Sequence, residues 1–333
     1  MISGFVTPIA PTTRISISID ATLGGQQPIP AEVLFPPQTS YDRITLPALS
    51  QLTFNPNQPA APAASTMNLA GAVRLVADGF NQPKGVAVAP DGRIYVADTG
   101  NQRVVVLSTE GELLAQLTPE EPFVEPFDLV TNTAGELFVL DPATERIGHL
   151  DPTTAIWVIS PLRLALPGRS RGIGIDGAGN LWIANTPGGR VVQVDTEGNT
   201  LQSIPVWPGG DSQPVDVAVG LDGSIFVTDA GMNKLIRFEA SGRRQLAWDL
   251  PIANSIDSSH LAINQAGYLY VSKPEPFLIA QHDPMGEPIG DWNVMPPSGS
   301  VVKPVGIAVD NLGRIWFVDT VGGALYVIEN DVG

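Results

Sequence analysis

One spacing constrains the fold of this chain more than any other feature. Glycines in short turns recur at steps of 43, 44, 44, 44 and 46 residues, each between two short apolar runs. A period of about 40 to 50 residues that holds several short strands is typical of a β-propeller blade. The sequence therefore predicts six blades, one at each turn glycine: Gly92, Gly135, Gly179, Gly223, Gly267 and Gly313.

Each predicted blade has four strands, and the last blade needs a strand from elsewhere in the chain. Outer strands are predicted for the first five blades at Leu113–Leu117, Ile156–Ile159, Leu201–Ile204, Leu246–Trp248 and Ile289–Trp292. Blade six ends with its third strand, Leu325–Ile328, and Ala72–Val76 has the apolar character to complete it. Such closure removes open sheet edges. We expect residues 69–333 to form one propeller.

Composition agrees with an all-β fold and limits the partners. The chain has 34 Gly, 31 Pro and no Cys, which suits short strands and tight turns and excludes disulfides and thiolate metal sites. A formal net charge of −16 repels phosphate backbones, so nucleic acid and anionic membranes are not expected as partners.

The sequence does not predict membrane insertion. No stretch reaches the 18 or so apolar residues of a membrane-spanning helix. The first residues, Met1–Pro11, lack a basic segment and an apolar run of the kind found in signal peptides. We therefore expect a soluble protein that does not use the general secretory route.

Blade one carries a recognisable motif. Pro83, Gly85, Asp98, Asn101 and Arg103 follow the order P-x-G-(12)-D-x-x-N-x-R, which resembles the NHL repeat. The resemblance extends over residues 69–333 and implies a six-bladed propeller. The strand-end acid or amide recurs as Asp141, Asn185, Asp229 and Asp319, and the basic residue as Arg146, Arg190 and Lys234. We expect these pairs to brace loops. Blade five departs, with Ser272 and Phe277 assigned to the two positions.

A second set of equivalent positions lies seven residues before each turn glycine, where the inner strands reach the channel. Three of the six residues can ligate a cation, and the ring reads Gly85, Asp128, Gly172, Asp216, His260 and Gly306. The architecture is similar to that of lactonases such as the senescence marker protein and gluconolactonases. That resemblance implies carboxylates and Asn holding a divalent metal over the axis, but here the ring has no Glu or Asn. We therefore expect no cofactor, and the alternative is a divalent cation such as Ca²⁺ with Asp128, Asp216 and His260 as its candidate ligands.

Other chemical motifs are interpreted as structural. Gly168–Gly172 matches the G-x-S-x-G nucleophile motif, but Ser170 lies before an inner strand rather than on a strand-to-helix turn. His149 and His282 occupy equivalent third-strand positions and are expected to pack or to face solvent.

Residues 1–68 form an extended, proline-rich arm without the propeller period. Residues 59–65 read as a flexible linker, whereas Arg14–Asp20 alternates with a period of two, and Ala31–Phe35, Arg43–Leu46 and Leu52–Phe54 are further strand candidates. These strands are too few to be stable alone, so we expect the arm to dock on a partner or on the propeller itself. The candidate contact residues are Arg14, Ile15, Ile17, Ile19, Val33 and Phe35.

Besides binding of a small ligand or cationic peptide on the face of the Asp98, Asp141, Asn185, Asp229 and Asp319 loops, two functions remain open from the sequence. The first is a non-enzymatic structural subunit in which the propeller is a rigid scaffold and residues 1–68 bind protein partners in a larger assembly, such as a phage-tail-like machine. The alternative is a divalent-metal-dependent lactonase or hydrolase with its site at the channel mouth around Asp128, Asp216 and His260. Of these two we expect the structural subunit, because the ring lacks the Glu and Asn of the lactonases.

Overall fold

The chain divides into two compact units, Met1–Ala63 and Ala64–Gly333. The computed structural model describes residues 13–18, 30–35, 67–68, 72–117, 119–152, 156–160, 169–209, 211–250, 259–294 and 302–329.

The first unit contains a pair of strands. Strand β1 (Thr13–Ser18) pairs antiparallel with β2 (Pro30–Phe35), and the register places Ile15 opposite Val33 and Ile17 opposite Ala31. The structure thus has strands at two of the predicted places in the arm. The strand candidates Arg43–Leu46 and Leu52–Phe54 and the predicted linker at 59–65 lie outside the described residues.

The second unit is a six-bladed β-propeller, as the sequence predicts. It begins with β3 (Met67–Asn68) and β4 (Ala72–Asp78). Blade one comprises β5 (Val86–Val88), β6 (Ile94–Asp98), β7 (Arg103–Leu107) and β8 (Leu113–Leu117), with a 3-10 turn at Thr99–Asn101. Blade two comprises β9 (Asp128–Thr131), β10 (Leu137–Asp141), β11 (Arg146–Asp151) and β12 (Ile156–Ser160). Blade three comprises β13 (Gly172–Ile175), β14 (Leu181–Asn185), β15 (Arg190–Val194) and β16 (Thr200–Pro205).

The other three blades follow the same antiparallel order. Blade four comprises β17 (Pro214–Val219), β18 (Ile225–Asp229), β19 (Lys234–Phe238) and β20 (Arg244–Asp249). Blade five comprises β21 (Leu261–Ile263), β22 (Leu269–Lys273), β23 (Leu278–His282) and β24 (Pro288–Asn293). Blade six comprises β25 (Pro304–Val309), β26 (Ile315–Asp319) and β27 (Ala324–Glu329).

The inner strands form a closed ring around the axis. Each inner strand packs beside the inner strand of the next blade, and β25 of blade six lies beside β5 of blade one. Strand β4 pairs antiparallel with β27 and completes blade six, which confirms the predicted closure. Strand β4, which precedes blade one in the chain, is therefore hydrogen-bonded into blade six.

The core lies between neighbouring blades. In every blade, the second residue of the second strand is a buried aromatic. These residues are Tyr95, Phe138, Trp182, Phe226, Tyr270 and Trp316. Large aromatic side chains contribute much of the buried area in such interfaces. This recurring aromatic explains why the blade period is so strict, since a shifted strand would move it out of the interface.

Two details of the propeller differ from the sequence interpretation. Strand β3 pairs in parallel with β24 and gives blade five a fifth strand that was not predicted. In blade five, the pairing of Lys273 with Leu278 is equivalent to that of Asp98 with Arg103 in blade one. The assignment of Ser272 and Phe277 to those positions is therefore wrong by one residue.

Within the part of the chain that the structure describes, no helix is long and apolar enough to cross a lipid bilayer.

Candidate metal centre

The fold brings the three candidate ligands together on the propeller axis. Asp128 is the first residue of β9, Asp216 lies inside β17, and His260 directly precedes β21. One ligand atom from each side chain lies within 4.8 Å of the other two, and all three residues are buried. We call Asp128, Asp216 and His260 the axial cluster.

Glycine at two of the remaining ring positions, Gly85 and Gly172, makes room for the two carboxylates. A Cβ atom on Gly172 would lie 2.6 Å from the carbonyl oxygen of Val215 and against the side chain of Asp216. A Cβ atom on Gly85 would lie 2.7 Å from the carbonyl oxygen of Phe127. Both distances are too short for a real Cβ contact, so each glycine lets the next blade's strand approach closely.

Each carboxylate is held by two backbone amides. In blade two, Asp128 Oδ1 accepts a hydrogen bond from the amide of Leu129 (2.9 Å), and its Oδ2 accepts one from Ile173 of blade three (2.9 Å). These bonds fix the carboxylate plane and tie one inner strand to the next.

Asp216 repeats this arrangement two blades further on. Its Oδ1 accepts a hydrogen bond from the amide of Val217 (2.8 Å), and its Oδ2 accepts one from Leu261 of blade five (2.7 Å). Both acids of the axial cluster therefore have fixed oxygen positions, as a metal or catalytic site requires.

His260 is positioned by both its backbone and its ring. Its amide donates to Ser272 Oγ (2.9 Å), and that hydroxyl donates to the carbonyl oxygen of Val305 (2.6 Å). Its Nδ1 lies 3.4 Å from Asp216 Oδ2 and 3.9 Å from Asp128 Oδ2, while Nε2 is buried without a hydrogen-bond partner. The role of Ser272 was not predicted, although a serine between Val271 and Lys273 on a second strand was a visible signal.

Burial and mutual charge shift the pKa values in the axial cluster. Burial, followed by the charge of Asp216, raises the pKa of Asp128 to about 7, although His260 and two amide hydrogen bonds act in the opposite direction. Burial acts to lower the pKa of His260, but contacts with the Asp216 and Asp128 carboxylates outweigh it and raise that pKa above its usual value. The cluster therefore binds protons in the neutral pH range.

The axial cluster borders the central channel. A cavity of about 170 Å³ runs along the axis, and the side chains of Asp128 and Asp216 form part of its wall. Most of the other lining residues are aliphatic residues of the six inner strands, among them Val86, Leu129, Ile173, Val217, Leu261 and Ile307. A small molecule or ion in the channel can therefore reach both carboxylates.

The spacing of the donor atoms fits a single divalent cation. Two ligands about 2.0 to 2.5 Å from one ion and about 90 to 110° apart are separated by about 3 to 4 Å. The distances from His260 Nδ1 to the two carboxylate oxygens, 3.4 and 3.9 Å, lie in this range. Carboxylate oxygens and imidazole nitrogens are both ordinary ligands of divalent metals in proteins.

The predicted acid–base pairs at the strand ends are confirmed only in blade one. Arg103 Nε lies 2.7 Å from Asp98 Oδ2, but Arg146 pairs with Glu121 and Lys234 pairs with Asp249. Asp141, Asp229 and Asp319 instead accept hydrogen bonds from backbone amides of the segments that precede the inner strands. These acids do brace loops, but mainly through amides.

The other candidate residues have local partners. Ser170 is buried and accepts a 3.4 Å hydrogen bond from Asn185 Nδ2, which supports a structural role. His149 stacks on Phe138 with ring centroids 4.6 Å apart, and His282 Nδ1 donates to the carbonyl oxygen of Gly286 (2.9 Å). Neither histidine belongs to the axial cluster.

Five of the candidate contact residues of the arm lie on its two paired strands. Arg14, Ile15 and Ile17 lie on β1, and Val33 and Phe35 lie on β2. Ile19 lies outside the described residues. Binding of protein partners by residues 1–68 stays a prediction.

Comparison with known proteins confirms the predicted resemblance. Residues 80–107, which span most of blade one, match the NHL repeat. Blade one of this six-bladed β-propeller therefore contains an NHL repeat. No curated protein sequence matches this propeller chain.

Several solved structures share the fold. A catalytically inactive virginiamycin B lyase from Staphylococcus aureus with quinupristin, in which a histidine is replaced by alanine, is 16% identical with a TM-score of 0.57, covering 79% of this chain and 90% of its own. Calcium-binding regucalcin from Agrobacterium tumefaciens is 16% identical with a TM-score of 0.59, covering 80% and 96%. A gluconolactonase from Xanthomonas campestris is 14% identical with a TM-score of 0.59, covering 82% and 98%. At these identities the likeness shows the fold.

These findings correct the expected function. The prediction of a non-enzymatic structural subunit, docked into an assembly by residues 1–68, is wrong. It assumed that little chemistry lies on the axis, whereas the structure brings Asp128, Asp216 and His260 together there. The similar propellers include a lyase, a gluconolactonase and a calcium-binding protein, so the alternative of a metal-dependent hydrolase agrees better with the findings.

Proposed function

We propose that this NHL-type propeller is a divalent-cation-dependent hydrolase of the lactonase class, with its site at the channel mouth. The observation that carries the proposal is the axial cluster, in which donors from blades two, four and five lie within 4.8 Å of one another beside the central cavity. Three ionisable side chains buried at one point are costly to a fold unless they are paired or bind a ligand.

The residues have distinct parts in this site. Asp128, Asp216 and His260 hold the cation, and the amides of Ile173 and Leu261 keep the two carboxylates aimed at the axis. A divalent cation held there supplies Lewis acidity, which polarises the carbonyl group of an ester. The burial of all three side chains limits bulk water around them, which strengthens their electrostatic interactions.

The proposed reaction is the addition of water to a cyclic ester. The water oxygen forms a bond to the carbonyl carbon, the ring C–O bond breaks, and one proton of the water ends on the leaving oxygen. The product is an open-chain hydroxy acid. The similar solved propeller from Xanthomonas campestris is a gluconolactonase, which supports a lactone as the substrate class.

An elimination reaction is the second candidate. His260 has Nδ1 directed at Asp216 and Nε2 without a partner, which is how a histidine general base is oriented by a carboxylate. The similar virginiamycin B lyase is described as catalytically inactive when a histidine is replaced by alanine, which supports a role for a histidine in this class of site. Turnover in ¹⁸O-labelled water separates the two, because hydrolysis incorporates the label and elimination does not.

The test is a lactone assay on the full chain. Protein treated with EDTA and reconstituted with one divalent cation at a time is offered a panel of aldonolactones and aliphatic lactones, and acid release is followed by pH-stat. We expect cation-dependent turnover that falls by about 100-fold or more in Asp216→Asn and His260→Gln. His282→Gln changes a buried histidine outside the axial cluster and is the matched control, expected to keep its activity.

Two results would count against the proposal. One is an absence of turnover with every cation and every ester in a protein shown to be folded by circular dichroism. The other is turnover that is unchanged in a folded Asp128→Asn, Asp216→Asn double variant.

A further inference from the structure

The donor atoms of the axial cluster determine which divalent cation it binds best. One of the three donors is an imidazole nitrogen, His260 Nδ1. Imidazole suits zinc and the later transition metals, whereas calcium and magnesium prefer carboxylate, carbonyl and water oxygens. The donor set thus differs from an all-oxygen calcium site.

The number of donors also argues against calcium. Calcium takes about six to eight oxygen ligands, often including bidentate carboxylates. Here the ring supplies three side chains, and its other three positions are Gly85, Gly172 and Gly306, which add none. Both oxygens of Asp128 and of Asp216 already accept a backbone amide, which disfavours bidentate binding of the ion.

Charge and access fit a catalytic zinc-type site. Two carboxylates and a neutral imidazole carry a formal charge that balances a dication, which matters for a buried group. Catalytic zinc sites have three protein ligands and keep a further position open for water or substrate. The cavity of about 170 Å³ that reaches Asp128 and Asp216 provides space on that open side.

We infer that the axial cluster binds a zinc-type transition-metal dication through Asp128, Asp216 and His260, in preference to calcium. This inference rests on the proposed function and makes it specific. The inferred metal differs from that of the similar regucalcin, which is described as calcium-binding. A shared fold at 16% identity does not imply the same metal ligands.

Direct binding of metal to the full-length chain tests the inference without any substrate. Chelator-treated protein is titrated by calorimetry with ZnCl₂, MnCl₂ and CaCl₂ separately, and Co²⁺ is added as a spectroscopic probe. We expect one Zn²⁺ per chain, binding at least tenfold tighter than Ca²⁺, and visible Co²⁺ absorption bands of a low-coordinate nitrogen and oxygen site.

Two variants identify the ligands. His260→Asp replaces the imidazole with a third carboxylate and is expected to weaken Zn²⁺ binding by at least about tenfold while narrowing the preference over Ca²⁺. His282→Gln removes a buried histidine elsewhere and is expected to bind Zn²⁺ like the original chain. If His260→Asp does not fold, loss of the Co²⁺ bands in His260→Gln is the substitute measurement.

The outcomes separate this inference from the proposed function. Tighter binding of Ca²⁺ than of Zn²⁺, with lactone hydrolysis supported by Ca²⁺, overturns the inference and leaves the proposed function standing. Zn²⁺ binding that is unchanged in folded His260→Asp also overturns the inference, because the ion must then bind elsewhere. Failure of every cation to bind overturns both.

Discussion

Three positions of the ring around the axis have ionisable side chains, and the other three are glycine. Asp128 and Asp216 accept hydrogen bonds from the inner strands of blades three and five. Gly85 lies against Asp128, and Gly172 lies against Asp216. A glycine at these positions leaves the space that the acid of the next blade occupies, and it is not there to form a turn. A larger side chain at Gly85 or Gly172 would therefore displace an acid of the axial cluster.

Gly172→Ala tests this dependence in blade three. The new methyl group would contact the side chain of Asp216 and the backbone of Val215, so we expect a loss of about 1–3 kcal/mol in the free energy of unfolding. Displacement of Asp216 should also weaken Zn²⁺ binding by tenfold or more. Urea unfolding and calorimetry measure the two effects.

Gly177→Ala is the control in the same blade. Gly177 is exposed, does not have a positive φ, and has no atom within 4 Å of an added Cβ. The substitution should change the free energy of unfolding by less than about 0.5 kcal/mol. Equal stability and equal metal binding in the two alanine variants would show that the glycine at the ring is not required.

At the scale of elements, buried acids at the ends of second strands connect each blade to the segment that precedes it. Asp98 accepts hydrogen bonds from the amide of Asn81 (2.7 Å), from Asn101 Nδ2 (2.9 Å) and from Arg103 Nε (2.7 Å). Asp229 and Asp319 likewise accept hydrogen bonds from amides of the segments before their inner strands. The repeated acid thus holds the loop geometry that delivers each inner strand to the axis.

Removal of one such acid should be costly. Asp98→Ala leaves three donors without their acceptor in a buried place, and we expect a loss of about 3 kcal/mol in the free energy of unfolding. Asp91→Ala, in an exposed turn where the acid pairs with Arg93 at 2.7 Å, should cost less than about 1 kcal/mol. Chemical denaturation of both variants checks the contrast, and a loss of the same size at both positions would contradict it.

The strands could be predicted from the sequence because their signals are local. The apolar runs and the turn glycine lie within each blade, and the period of about 44 residues repeats them from one blade to the next. Strand β3 could not be predicted, because two residues carry no periodicity and its partner β24 is more than 200 positions away. The one-residue error in blade five arose where the motif residues are replaced by Lys273 and Leu278.

The candidate site was only partly predictable. Equal spacing from the turn glycines placed Asp128, Asp216 and His260 at the same height of the channel, because equivalent positions in a ring of repeats lie at equivalent depths. The spacing did not reveal that the three side chains turn toward one another. That depends on amides donated by the next blade and on Ser272, which are contacts between repeats rather than within them.

At the scale of the whole molecule, one strand closes the ring. Strand β4 pairs with β27 along its full length, from Ala72 opposite Glu329 to Asp78 opposite Ala324. Its Val73 packs against the apolar cluster between blades five and six, and its Val76 packs against the cluster between blades six and one. Without this strand, the sheet of blade six would expose an unpaired edge, which promotes aggregation. The axial cluster needs blades two, four and five at fixed positions around the axis, so we expect closure of the ring to be a condition for the proposed metal binding.

Two truncations test this relation between closure and function. A chain that begins at residue 64 keeps β4, and we expect its melting temperature to stay within a few degrees of the full chain and its Zn²⁺ affinity to be unchanged. A chain that begins at residue 79 lacks β4, and we expect it to unfold at a much lower temperature or to aggregate, with loss of metal binding. Circular dichroism, size-exclusion chromatography and calorimetry report on these three properties. A chain from residue 79 that stays monomeric and binds Zn²⁺ with full affinity would show that the ring holds the axial cluster without its closing strand.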